Sequence, residues 1–283
     1  MKKFEDIYIA SDIDGTFLWE CSYANPKNAE AVKYFTANGG HFAFSTGRNP
    51  QDTGLVLPFW REICNMPCIF CNGSMLCDAK TGEILNPQYV HPAEKAVEVF
   101  HIIRENFSHI AGTRATTARG FLFAEDDEFV RRRFTANGNI NVSEILPIEQ
   151  IDGTGIFKIV IETSEEEREN IFAAMQARFD STFELTYSAP TLVEIQPRGV
   201  TKAFQIETLR REARKTRPNA KFYCIGDYNN DYNMLLAADV AVCPENACES
   251  IKAISQIVTC HCRDGAIADL IEKIENELLP NFS

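Results

Sequence analysis

The sequence contains no apolar run approaching 18 residues, so it lacks the hydrocarbon length that a membrane-spanning helix needs. Its beginning, Met1-Lys2-Lys3-Phe4-Glu5-Asp6, offers two lysines, but acids follow where a leader would turn apolar; no cleavable signal is expected. Positive charge is scarce: 28 Lys and Arg stand against 40 Asp and Glu, a formal net charge of −12. The basic clusters, Arg131-Arg132-Arg133 and Arg210 to Arg217, sit in helical patterns and read as solvated faces. Binding to a nucleic-acid backbone by charge neutralisation is therefore disfavoured, and neither nucleic acid nor membrane is expected as a partner. Internal repeats, low-complexity tracts and long linkers are missing as well.

Cysteine, by contrast, is plentiful at ten. With no leader expected, thiols inside apolar runs, such as Cys224 in Phe222-Tyr223-Cys224-Ile225, read as small buried hydrophobes of a reducing cytoplasm. Cys64, Cys68, Cys71 and Cys77 are close enough to raise a zinc site. No second CxxC pair follows, however, and Pro67 to Gly73 reads as a strand entering a turn. His261 between Cys260 and Cys262 has no better support.

The most informative stretch is Tyr8-Ile9-Ala10-Ser11-Asp12-Ile13-Asp14-Gly15-Thr16, an apolar run that ends in two acids and a glycine. The run reads as a buried strand. Two carboxylates at its end are costly unless compensated. The carboxyl ends of strands in open α/β sheets are where ligands bind, and a divalent cation would supply the compensation. An Asp-Gly turn closing a strand explains the same residues equally well. If the strand persists, positions 12 and 14 point the same way.

At 283 residues the chain has room for two domains. Asn25-Pro26 opens a helix that Asn38-Gly39-Gly40 stops, and strand His41–Phe44 runs into Ser45-Thr46-Gly47-Arg48. A short helix and a strand ending at Asn72-Gly73 follow. This β-α-β-α-β order predicts a Rossmann-like parallel sheet with helices on both faces. From 86 to 189 the order changes: helix Pro92–Phe107, short strands, helix Asp127–Ala136, strand Ile156–Ile161, helix Ser164–Phe179 and strand Phe183–Tyr187. That reads as an inserted α+β module. Thr191 to Gln196 then leads back, and the βα rhythm resumes through Lys202–Lys215, Phe222–Ile225, Asn230–Ala238 and onward. Residues 1–85 and 190–283 would form the core, and 86–189 the insertion.

Right-handed crossovers bring four pieces to one sheet edge: Asp12 to Thr16, Thr46-Gly47-Arg48, Lys202, and Gly226-Asp227-Tyr228-Asn229-Asn230-Asp231. Each alone could be a turn or a solvated helix residue. Together, three carboxylates, a hydroxyl and a lysine suit phosphoryl transfer, where catalysis is mostly positioning and charge neutralisation. A carboxylate nucleophile needs the repulsion of an anionic phosphate removed, which Mg²⁺, a lysine and turn amides near Gly15 can do. A second carboxylate two residues on can act as general acid and then base.

In Asp-x-Asp-Gly-Thr, Thr-Gly-Arg, Asn72-Gly73, Lys202 and Gly-Asp-x-x-Asn-Asp, the chain resembles the haloacid dehalogenase-like phosphatases, specifically the Cof-like type IIB group. Pro244-Glu245-Asn246-Ala247 and Arg263-Asp264-Gly265-Ala266 resemble the same group's C-terminal region. The resemblance covers the core, and the cap by size and placement only. It implies Asp12 as nucleophile of an aspartyl-phosphate, and Asp14 as proton donor and acceptor whose backbone carbonyl joins the Mg²⁺ ligands. It implies Thr46 and Lys202 on the phosphoryl group, Asp227 on Mg²⁺, Asp231 supporting the metal's water shell, and Asn230 orienting phosphate or lysine. Gly15, Gly47, Arg48 and Asn72 would line the phosphate site. Tyr228 stands where the family often has a small residue, and its ring could narrow the entrance.

The expectation is a Mg²⁺-dependent phosphatase of a small phosphorylated metabolite, such as a sugar phosphate, with the insertion as a lid that sets specificity. Arg114, Arg119 and Glu194 are cap candidates for that task. A phosphomutase would use the same aspartyl-phosphate, and a non-hydrolytic phosphate-binding or regulatory module would gather similar groups. A receiver domain would be about half this length and lack the insertion. A calcium loop would need a third acid before the glycine and a later glutamate.

Overall fold

The computed structural model describes residues 2–20, 22–86, 89–129 and 143–278. The expected helix over 127–136 lies largely, and the Arg131–Arg133 run entirely, outside them.

The chain begins with the fully buried strand β1 (Ile7–Ser11), then a small ribbon of β2 (Leu18–Trp19) and β3 (Tyr23–Ala24). Helix α1 (Pro26–Ala37) starts where Asn25 accepts a hydrogen bond from the Lys27 N–H and proline occupies the first turn. Strand β4 (His41–Phe44), α2 (Pro50–Val56) and α3 (Trp60–Ile63) follow, then a hairpin of β5 (Cys68–Phe70) and β6 (Met75–Cys77). The second unit holds α4 (Ala93–Phe107), β7 (Ala111–Thr117), β8 (Gly120–Ala124), β9 (Ser143–Leu146), β10 (Lys158–Thr163), α5 (Arg168–Phe179), β11 (Phe183–Ala189) and β12 (Leu192–Pro197). The chain closes with α6 (Lys202–Thr216), β13 (Lys221–Ile225), α7 (Tyr232–Ala237), β14 (Val240–Pro244), α8 (Glu249–Lys252), β15 (Ile257–Thr259) and α9 (Ala266–Leu278).

Five strands form one parallel sheet in the order β15-β14-β13-β1-β4. Alternation along β1 divides its burial between two apolar layers. Ile7 and Ile9 join a cluster with Phe42, Phe44 and Ile267, while Tyr8 and Ala10 join one with Phe222, Ile206 and Met234. Helices therefore cover both faces, and the expected α/β core is present. The strand expected to end at Asn72-Gly73 pairs mainly with β6, and only the Ser45–Ile69 bridge ties it to the edge of the sheet.

The second sheet runs β11-β12-β10-β7-β8-β9, antiparallel except for β8 and β9. One of its faces packs Ile159, Ile161, Val193 and Ile195 against α4 and α5 through Val99, Phe100, Ile171 and Met175. From the sequence, a return of the chain to the core is expected at 190. Leu192–Pro197 instead pairs on both sides, with β10 and β11, because its alternating Val193 and Ile195 complete the apolar face of this second sheet. The return lies after Pro197.

His91, where the chain enters this unit, is 3 % exposed, and its Nε2–H donates to the Ile195 carbonyl at 3.1 Å. Nδ1 meets no partner among the described residues. Burial pushes the imidazole down to about 4. Between about pH 6.5 and 4 the unfolded chain takes up a proton that the folded chain refuses, so stability falls as pH falls through that window. Urea unfolding should show wild type losing about 2 kcal/mol more than His91→Gln between pH 7 and pH 5. Parallel losses in both proteins would refute the assignment.

Candidate active site

β1 ends at Ser11, one residue before the acids, and the chain then curls: the Phe17 and Leu18 N–H groups both donate to the Ile13 carbonyl. The strand alternation invoked for positions 12 and 14 therefore does not operate. The turn sends the two carboxylates to different partners. Asp12, 5 % exposed, accepts from Lys202 Nζ at 2.7 Å, and its own N–H is anchored on the Ile225 carbonyl at 2.9 Å. Asp14 faces Arg48, whose Nε and Nη2 donate to its two oxygens at 2.7 and 2.8 Å, while Nη1 binds Asp52 at 2.9 Å.

Lys202 is the first residue of α6, behind the cap Thr201, whose side chain accepts from the Phe204 N–H. Its ammonium, 1 % exposed, bridges Asp12 and Asp231, both at 2.7 Å. The other Asp231 oxygen accepts from the Asp227 and Tyr228 N–H groups at 3.1 and 3.3 Å, fixing the turn after β13. Asp227 in turn accepts from the Thr16 hydroxyl at 3.0 Å. Gly15 adopts φ +77°, and a Cβ there would come within 2.3 Å of Asp227 Oδ2, so this turn has room only for glycine. Asn246 holds the same turn from below, donating to the Gly15 carbonyl at 2.7 Å and accepting from the Cys262 N–H at 2.9 Å.

Asp12, Asp227 and Asp231 each offer an oxygen within 4.8 Å of the others, the one such cluster of potential ligands among the described residues. Burial pushes Asp12 up to about 7, with Asp231 and Asp14 adding repulsion that Lys202 only partly offsets. Burial, together with Asp12 and Asp231, also holds Asp227 well above the usual carboxylate range. Burial alone would lower Lys202, but its two carboxylate partners raise it, so it stays a cation. One ammonium facing two buried acids and a half-buried third leaves a deficit of positive charge. Hard oxygen donors with that deficit fit a small divalent cation such as Mg²⁺.

Thr46 follows β4 and is buried, and its hydroxyl oxygen accepts from the Arg48 N–H at 3.2 Å. Among the described residues the Asp14 and Gly47 N–H groups meet no acceptor, and both residues border the same cleft as Asp12. Asn72, 3 % exposed and at φ +54°, donates to Glu194 and accepts from Asn230 Nδ2 at 3.4 Å. Asn230 thus reaches Asn72 rather than the lysine. The cleft, about 570 Å³, lies between the parallel sheet and the second sheet, with Trp19, Phe121, Leu192 and Tyr228 among its apolar walls.

All the site residues named from the sequence border this cleft except Asn72, Lys202 and Asp231, which form its inner support. Of the cap candidates, Arg114 and Glu194 line it, whereas Arg119 points to solvent and pairs with Glu144 at 3.4 Å. Lys158, Asp52 and Asn246 were missed as site residues. For Lys158 a signal existed: in Lys158-Ile159-Val160-Ile161-Glu162 the charges share one strand face. The four clustered cysteines are all buried free thiols, and burial pushes Cys71 and Cys77 up to about 12.

A family model for haloacid dehalogenase-like hydrolases matches residues 9–271. The chain belongs to this family. An HMP-PP phosphatase of Serratia proteamaculans is 24 % identical over 269 residues, covering 93 % of each chain. Among solved structures, a subclass IIB sugar phosphatase superposes with TM-score 0.77 at 19 % identity, covering 96 % of this chain and 99 % of its own. A haloacid dehalogenase-like hydrolase of Bacteroides thetaiotaomicron gives 0.76 at 20 %, covering 94 % and 98 %. The likeness to these structures spans both sheets, and the chain is a haloacid dehalogenase-like hydrolase. No described helix is long and apolar enough to cross a membrane.

Proposed function

We propose that the chain is a Mg²⁺-dependent phosphatase of a small phosphorylated metabolite, working through an aspartyl-phosphate on Asp12. The observation that carries this reading is the buried set in which Lys202 bridges Asp12 and Asp231 beside Asp227. Residues 1–85 and those after Pro197 act as the catalytic core, and the second sheet with its helices acts as the cap.

Asp12 and Asp227 would hold Mg²⁺ with the Asp14 carbonyl, and Asp231 would support its water shell; bound there, the ion neutralises phosphate charge. Lys202 orients the Asp12 carboxylate, and a free Asp12 oxygen attacks phosphorus as the ester oxygen leaves. The Thr46 hydroxyl, whose oxygen is already occupied by the Arg48 N–H, is left to donate its proton to the phosphoryl group. Asp14 gives the leaving oxygen its proton, then takes one from the water that attacks the aspartyl-phosphate. Products are the alcohol and inorganic phosphate, and Asp12 is restored. Because Arg48 occupies both Asp14 oxygens, Asp14 can pass a proton only once the guanidinium yields one of them.

The apolar walls around Trp19, Phe121 and Leu192 favour substrates that carry an apolar or ring-shaped face beside the phosphate. The relative that is an HMP-PP phosphatase and the structural neighbour that is a sugar phosphatase place both kinds of ester in a screen of phosphate release by the purified protein. Isomer formation without phosphate release would instead indicate a mutase.

Chelation should silence the wild type, and Mg²⁺ should restore it. Asp227→Asn should then need at least about tenfold more Mg²⁺ for half-maximal rate. Undiminished turnover after exhaustive chelation would overturn the metal requirement.

A further inference from the structure

The steps above make no use of a buried ion pair that the second sheet delivers to the phosphate end of the cleft. On β10, Lys158, Val160 and Glu162 alternate with the packed Ile159 and Ile161; on β12, Leu192 and Glu194 alternate with Val193 and Ile195. The register pairs Val160 with Glu194, and Lys158 Nζ meets Glu194 Oε1 at 2.6 Å, each side chain 4 % exposed. Lys158 holds Glu194 below the usual carboxylate range despite its burial.

Both partners reach beyond their own sheet. Lys158 Nζ also donates to the Gly47 carbonyl, and the second Glu194 oxygen accepts from Asn72 Nδ2. A Cβ at Gly47 would lie 3.1 Å from Asn72 Oδ1, 3.3 Å from Glu194 Oε2 and 3.4 Å from Lys158 Nζ, so three groups converge on this turn. The peptide between Gly47 and Arg48 is thereby held at both ends. Its oxygen accepts from Lys158, and its N–H donates to Thr46 Oγ1 at 3.2 Å. Asn72 closes the ring, since its N–H donates to the Thr46 carbonyl at 3.0 Å.

Stability alone gives little reason for such a pair. Well-packed apolar residues in place of a buried ion pair commonly fold as well or better. What apolar residues would lack is the grip on the Gly47 carbonyl and the Asn72 amide.

We propose that Lys158 and Glu194 are positioning residues: seated on the core, they fix the Gly47–Arg48 peptide, which orients the Thr46 hydroxyl and the free Gly47 N–H toward the phosphoryl group. Turnover then depends on contact between the second sheet and the core, through two side chains that touch neither nucleophile nor proton donor. The inference rests on the phosphatase reading above.

Lys158→Met alone strands a buried Glu194 charge and can fail to fold, so the decisive variant is Lys158→Met with Glu194→Met. In the full chain with Mg²⁺, its thermal midpoint should stay near that of wild type. Its kcat on p-nitrophenyl phosphate should fall about 10- to 100-fold, with KM changed less than about threefold. The telling comparison adds Thr46→Val. If the pair acts through Thr46, the double replacement should cost less than about threefold more in that background, instead of multiplying the losses. Wild-type kcat in the double variant, or losses that multiply, would overturn the proposal. Should wild type release no phosphate from any ester, the phosphatase reading fails instead. Inorganic phosphate binding by calorimetry then decides the positioning role, with about tenfold weakening expected in the double variant and unchanged affinity refuting it.

Discussion

Asp12→Asn should remove phosphate release from every ester the wild type accepts, by at least about 10⁴-fold in kcat, because an amide cannot form the aspartyl-phosphate. The replacement is nearly isosteric, and the backbone of residue 12 stays pinned to the Ile225 carbonyl, so the fold should survive. Stability should even favour the variant when Mg²⁺ is withheld. Burial and the neighbouring Asp231 and Asp14 push the Asp12 carboxyl up to about 7. Between its unfolded value and that one, the folded state holds the proton more tightly, so stability is lost as pH rises through the window. Asparagine escapes that loss. Melting at pH 8 without Mg²⁺ should place the variant no lower than wild type, and rate assays with Mg²⁺ should show it inert. Retention of most activity would sink the covalent mechanism, whereas a collapsed melting curve would make the rate loss uninformative and shift the test to Asp12→Ala.

The polarity of Asp12 and its company was legible in the sequence because carboxylates at strand ends carry a recognisable cost. Ile7 to Ser11 had to be a buried strand, Gly226-Asp227 had to follow another, and right-handed crossovers put both ends on one edge. Local chemistry also announced the helix that Asn25-Pro26 opens. What escaped depends on contacts distant in sequence. The turn that parts Asp12 from Asp14 is made by N–H groups at 17 and 18, and no periodicity describes it. Leu192–Pro197 reads as a strand either way, and only its partners on β10 and β11 assign it to the second sheet. Lys158 lies 111 residues from the Gly47 carbonyl it holds. A strand lysine with one polar face looks solvated until the opposing surface is known. Asn246 was noticed as part of a motif, yet its task of tying the Gly15 turn to residue 262 is tertiary.

Lys202→Met should be the most damaging single change to the site, because it strikes folding and chemistry together. The ammonium is the only cation within hydrogen-bond reach of Asp12 and Asp231 among the described residues, and all three groups are buried. Removing one member of a buried charge set leaves the others uncompensated, at a cost of about 3–5 kcal/mol. For a chain of this size that corresponds to a drop of roughly 10 °C in melting temperature. Methionine fills much of the lysine stem's volume, so the loss reports charge rather than a cavity. The rate should fall at least about 10³-fold, since Asp12 loses its orientation and the phosphoryl group its cation. The cause can be separated from simple misfolding with the metal itself. A divalent cation restores positive charge to the same three carboxylates, so Mg²⁺ should raise the melting temperature of Lys202→Met by more degrees than that of wild type. Activity should remain low even when stability is regained. If Mg²⁺ stabilises both proteins equally, the lysine and the metal do not share the charge of this triad, and the compensation argument fails.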